Sequence, residues 1–124
     1  MFDLSVRGRF SAAHRLRGYD GSCASVHGHN WDVTVFVSGE QVGADGMLVD
    51  FRELKQRLRE ALEALDHTDL NTVEALQGAN PTSETMARHL FERLSSSLNS
   101  GTIRVRQVTV SETPETSASY RRDD

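Results

Sequence analysis

A single cysteine, Cys23, stands among 124 residues, so no disulfide can close within the chain. That usage fits a reducing compartment. No run approaches the ~20 consecutive apolar residues of a membrane span. The first residues carry no basic-then-apolar segment. A cytoplasmic protein with no membrane partner is expected. Net charge is −4, with no basic stripe and no cluster of aromatics suited to bases, so nucleic acid is not an expected partner. Lys55 is the sole lysine among 14 basic residues, a skew toward the better bidentate phosphate binder that base composition could equally produce, and no particular arginine is assigned to phosphate. There is no internal repeat, low-complexity stretch or linker. With 37% hydrophobic and 26% charged residues the composition is that of an ordinary globular chain, and residues 1–124 are expected to form one domain. A domain of this size has little bulk to wall off a deep cleft, which favours walls supplied by a neighbouring subunit.

Alternation is strong at both ends. Phe2, Leu4, Val6, Phe10, Ala12, His14 and Leu16 share one parity, and polar residues share the other, which predicts a half-buried strand. After a Gly-, Ser- and Asp-rich loop from Arg15 to Val26, His27, His29, Trp31, Val33, Val35 and Val37 repeat the pattern to about Ser38. Asp50 and Glu53 have capping-box spacing, and Phe51, Leu54, Leu58, Leu62 and Leu65 mark the apolar stripe of a helix. Asp66 to Gly78 reads as irregular. Asn80-Pro81-Thr82-Ser83-Glu84 starts a second helix, striped by Met86, Leu90, Phe91, Leu94 and Leu98 and stopped at Asn99-Ser100-Gly101. A third strand runs from Thr102 to about Glu112, with a parity change predicting a bulge near Gln107. A fourth lies around Ser117 to Arg121. The order ββααββ predicts an α+β fold, a four-stranded antiparallel sheet with two helices on one face.

His14, His27 and His29 all fall on apolar parities, where imidazole finds few partners. Residues two apart on a strand leave the same face with Cα atoms ~6.6 Å apart, a span that two Zn–N bonds of ~2.0–2.1 Å can close. His14 joins them if the first two strands pair antiparallel. Three imidazoles leave a fourth position open, the arrangement of catalytic zinc. The alternative is three hydrogen-bonded core histidines. Cys23 could close that site as a structural ligand, act near it as a base or nucleophile, or do neither. Asp66-His67 could be a carboxylate-oriented proton carrier, or simply a histidine favoured by a helix C-terminus. Glu112 shares parity with Val108 and Val110; it could take the amidine-like edge of a heterocycle, or turn to solvent at the strand end. His89 reads as surface.

Several of these residues also carry a family pattern. Ala13-His14-Arg15-Leu16, Cys23 four residues before His27-Gly28-His29-Asn30, Asp50-Phe51, Leu65-Asp66-His67, Asn80-Pro81-Thr82-Ser83-Glu84, Glu112-Thr113 and Tyr120-Arg121 together resemble the 6-pyruvoyl-tetrahydropterin synthase family over nearly the whole length. Within it they look more like the 6-carboxy-tetrahydropterin synthases of queuosine and deazapurine biosynthesis. The resemblance implies a T-fold (tunnelling fold) subunit that builds homo-oligomers, hexamers favoured, with sites between subunits. It implies Zn2+ on His14, His27 and His29, Cys23 as general base, Asp66 with His67 as proton relay, and Glu112 anchoring a pterin with Thr82 and Ser83 as helpers. The implied reaction converts 7,8-dihydroneopterin triphosphate to 6-carboxy-5,6,7,8-tetrahydropterin, acetaldehyde and triphosphate. A pyruvoyl-forming synthase or a paralogue acting on a related pterin is the runner-up, and a noncatalytic zinc-binding module closed by Cys23 is the alternative of another class. Trp31 stands where the family often has tyrosine, Thr68-Asp69 follows Asp66-His67 where some carboxy-branch members have a second histidine, and the Arg15–Val26 loop is somewhat short.

Overall fold

Alternating residues build two long strands, β1 (Phe2–His14) and β2 (His27–Gly39), which pair antiparallel over their full length. The computed structural model describes residues 1–18, 21 and 24–122. Helix α1 (Phe51–Glu63) follows, then a two-residue strand β3 (Thr68–Asp69) and two single 3₁₀ turns. Helix α2 (Ser83–Leu98) leads to β4 (Arg104–Thr113) and β5 (Thr116–Arg121). The sheet order is β3-β1-β2-β4-β5, antiparallel except where β3 runs parallel to β1 at Ala12 and Ala13. The four expected strands and two helices are therefore present, and a fifth, two-residue strand extends the edge beyond β1. No helix among the described residues is long and apolar enough to cross a membrane.

One face of the sheet is covered. Val6, Phe10, Trp31, Val33, Val35, Val37, Val108 and Val110 meet Leu54, Leu58, Leu62, Met86, Leu90, Phe91 and Leu94 of the helices in one core. Gly8 sits on this face, where a Cβ would come within 2.9 Å of Leu62 Cδ1 and 3.1 Å of Leu58 Cδ2. Its missing side chain lets α1 settle against β1. Asp50 caps α1 by accepting from the Arg52 N–H at 2.8 Å, one residue earlier than the capping-box spacing implies, while the Glu53 N–H goes to the Asp50 carbonyl.

Strand β4 is irregular at two points. Pairing with β2 slips between Phe36 and Val37, where the partner changes from Gln107 to Val105; this is the expected bulge. A second slip separates Val110, paired with Ala118, from Thr113, paired with Thr116. Glu112 lies within it.

Candidate metal centre

The register places His14 directly opposite His27, and Ala12 opposite His29. With alternation of side chains, all three imidazoles emerge on one face at one end of the sheet. Their ring centroids are 4.6, 5.2 and 4.9 Å apart, and one ligand nitrogen from each lies within 4.8 Å of the others. The sequence-based grouping of the three histidines is thus met in space.

The tautomers are set by the backbone. His14 Nδ1 lies 2.7 Å from the Pro81 carbonyl, and His27 Nδ1 lies 2.7 Å from the Ser25 carbonyl. A carbonyl can only accept, so each Nδ1 carries a proton, and in the neutral ring Nε2 presents a lone pair. A backbone partner on one ring nitrogen with the other left free is the usual arrangement for a ligating histidine. His14 is 1% exposed, and its Nε2 is buried without a hydrogen bond. An unpartnered buried acceptor is costly. A divalent ion shared with His27 and His29 satisfies it, so the residues present fit zinc. Burial holds the His29 pKa below the ordinary value, Glu112 opposes that shift, and the charges of His14 and His27 add to it. The neutral, ligating form is favoured.

Trp31 forms the floor. Its ring meets His14 at 4.9 Å and His29 at 5.7 Å, both edge-on, and stacks on Phe10 at 5.6 Å. The indole N–H donates to the Ala12 carbonyl at 3.1 Å, which gives this departure from the family's tyrosine a buried partner. Two asparagines, Asn71, which carried no signal in the sequence, and Asn80, read there only as part of a helix start, clamp the chain leaving β1. Asn71 accepts from the Arg15 N–H and donates to the Arg15 carbonyl; Asn80 does the same at Arg17. Each amide side chain copies the bonding of a strand neighbour.

Glu112 comes up beside the histidines, its Oε2 3.4 Å from His14 Nε2 and 3.6 Å from His29 Nε2. Thr82 is the N-cap of α2, its hydroxyl accepting from the Thr85 N–H at 3.1 Å. This cap holds the residue that follows Pro81, whose carbonyl orients His14. Ser83 is half-buried in the first turn. Cys23 lies outside the described residues. His89, expected at the surface, is half-buried, and burial followed by the Arg93 charge pulls its pKa down, with Glu92 opposing.

Asp66 and His67 form the expected pair, with Nδ1 3.0 Å from Oδ2. Asp66 also accepts from the Ser11 N–H at 2.8 Å, the main reason its carboxyl is held below the usual carboxylate range. The His67 N–H donates to the Ser11 carbonyl, and His67 adopts a left-handed φ of 60°. Such a φ is uncommon for any residue but glycine. His67 lines a shallow depression with Ser11, Ala13, Gly28, His29 and Asn30. Four of these have the parity opposite to the three ligands. The depression also takes in Ala12 and the ligand His29, and the His67 side chain is 82% exposed.

A family model described as 6-pyruvoyl tetrahydropterin synthase matches residues 3–123. The chain belongs to that family. It is 34% identical to a 6-carboxy-5,6,7,8-tetrahydropterin synthase of Synechocystis, with 90% of this chain and 86% of the relative covered. It is 32% identical to the Bacillus subtilis protein of the same name, with 97% and 85% covered. The solved 6-pyruvoyl tetrahydropterin synthase of Caenorhabditis elegans superposes with a TM-score of 0.87 at 30% identity, over 98% of this chain and 96% of the other. The fold is the T-fold of the tetrahydropterin synthases, and the chain is an enzyme of that kind.

Proposed function

We propose that this synthase is zinc-dependent and makes the carboxy product: 7,8-dihydroneopterin triphosphate and water give 6-carboxy-5,6,7,8-tetrahydropterin, acetaldehyde and triphosphate. The observation that carries the metal part is the bare, buried Nε2 of His14 facing two further imidazoles. The carboxy product is favoured by the names of the Synechocystis and Bacillus relatives. The pyruvoyl-forming alternative is kept by the Caenorhabditis structure.

His14, His27 and His29 hold the ion. Bound there, zinc supplies Lewis-acid stabilisation to oxygens of the substrate side chain as negative charge develops on them. Cys23 removes the proton beside a side-chain hydroxyl, and Glu112 takes the amino and ring N–H edge of the pterin. Ser83 assists there; Thr82 assists chiefly by capping α2, because its hydroxyl is already engaged. Asp66 keeps its charge to low pH and holds the His67 Nδ1 proton, leaving Nε2 to carry the second proton. We place the pair, whose His67 side chain is exposed, in the site of a neighbouring copy in a homo-oligomer, with a hexamer favoured. The face of the sheet away from the helices supports such assembly. It is uncovered in the single chain and carries polar cross-strand pairs, Arg9 with Asp32 and Ser11 with Asn30. A cytoplasmic location fits a chain with a single cysteine. The test is to incubate purified protein with dihydroneopterin triphosphate and identify products by mass. The carboxy product with acetaldehyde supports the proposal; a pyruvoyl product transfers it to the alternative, and no turnover overturns it.

A further inference from the structure

Glu112 is placed for more than a pterin. Its Oε2 lies 3.4 Å from His14 Nε2, which makes no hydrogen bond, and 3.6 Å from His29 Nε2. The His14 Nδ1 proton is already committed to the Pro81 carbonyl. Nε2 is then a lone pair, and a carboxylate oxygen is another. Two acceptors approach each other only with a proton or a metal cation between them, and 3.4 and 3.6 Å are longer than the ~2.7–2.9 Å of a charge-assisted N–H···O bond, which favours the metal. Two ligands on one tetrahedral ion, with bonds of ~2.0–2.2 Å, sit about 3.3–3.5 Å apart. The observed spacings are of that size.

Glu112 can also leave. Its side chain is 31% exposed, and it stands in the second slip of β4, where pairing with β5 jumps from Val110 to Thr113. Bulges re-aim side chains beside active sites. The position is not locked into a ladder on both sides.

We infer that Glu112 is the fourth metal ligand of the substrate-free protein, and that its carboxylate gives up the metal when it takes the pterin edge. This role rests on the proposed zinc centre and deepens it. It makes metal opening a consequence of correct ring recognition: a pterin draws Glu112 away, and the vacated position receives the side-chain oxygens. A molecule without an amidine-like edge leaves the metal closed. No bond other than the metal–carboxylate contact is made or broken.

A crystal structure of the zinc-loaded, pterin-free protein tests this directly. The expected result is a Glu112 Oε2–zinc distance of about 2.0–2.2 Å. Zinc on three histidines and a water, with the carboxylate beyond about 3 Å, overturns the inference and leaves the metal reading standing. A wild-type protein that takes up no zinc overturns both. In solution, cobalt replaces zinc, and the visible spectra of wild type and Glu112→Gln are compared without pterin. A shifted band in the variant supports carboxylate ligation; superimposable spectra count against it. An intense thiolate-to-cobalt band in the wild type also overturns it, because Cys23 would then hold the fourth position.

Discussion

At the scale of single residues, the environment of each ring decides its work. His14 and His27 spend Nδ1 on backbone carbonyls and keep Nε2 for a ligand, whereas His67 spends Nδ1 on a carboxylate and projects into open space. Cys23, four residues before His27, is proposed as the base. Cys23→Ala should keep a full complement of zinc while losing about 10²-fold or more in turnover. Metal lost together with activity would make the thiol a ligand, and activity near wild type would remove it from the chemistry. His89 offers a pH test away from the metal. Its folded pKa lies below the ordinary histidine value because of burial, then Arg93. The unfolded chain therefore binds the extra proton first as pH falls. Stability from this group is present above about pH 6.5 and declines as pH drops from there toward the folded value. Thermal midpoints of the metal-free protein measured from pH 8 to 5 should fall, and His89→Gln should flatten that slope. An unchanged slope would show that other groups set it.

At the scale of elements, the site depends on where strands end and what clamps them. β1 and β2 were legible because their period of two puts every apolar residue on one face, and the same parity that buries Val33 and Phe10 delivers His29 and His14. The bulge near Gln107 was legible from the parity change alone. β3 was not legible: two residues carry no period, and Thr68-Asp69 becomes a strand only because β1 has a free edge there. The role of Pro81 was also hidden, since it acts through a carbonyl that every residue possesses. Asn80 shows the same limit, its side chain standing in for a strand by bonding both polar groups of Arg17. Asn80→Ala should destabilise the fold by about 1–2 kcal/mol in urea titration. A midpoint equal to wild type would show that water replaces the clamp at no cost. Gly8→Val should cost about 1–3 kcal/mol by the same measurement, as the new side chain meets Leu58 and Leu62. A neutral substitution there would mean that α1 can step back from β1.

At the scale of the whole molecule, one chain presents the histidine trio and the Asp66-His67 pair as two groups. The trio lies on the helix-covered side of the sheet, at its end; the Asp66-His67 pair bonds to Ser11 of β1, and His67 lines a depression with His29. The sequence shows the adjacency of Asp66 and His67, but the left-handed turn at His67 that directs the ring outward has no signature in residue type. The proposed sharing of sites between copies can be tested by complementation. Cys23→Ala and His67→Ala chains, each inactive alone, should recover roughly a quarter of wild-type activity when refolded together at equal amounts, as random pairing around a symmetric ring gives. No recovery in mixed oligomers would place the base and the relay in the same chain.

The proposal that three imidazoles hold one ion underlies the functional reading, and elemental analysis after zinc loading and gel filtration measures it most directly. About one zinc per chain is expected for the wild type, and essentially none for folded His27→Ala. Full occupancy in that variant, or no zinc in the wild type, would contradict the metal centre.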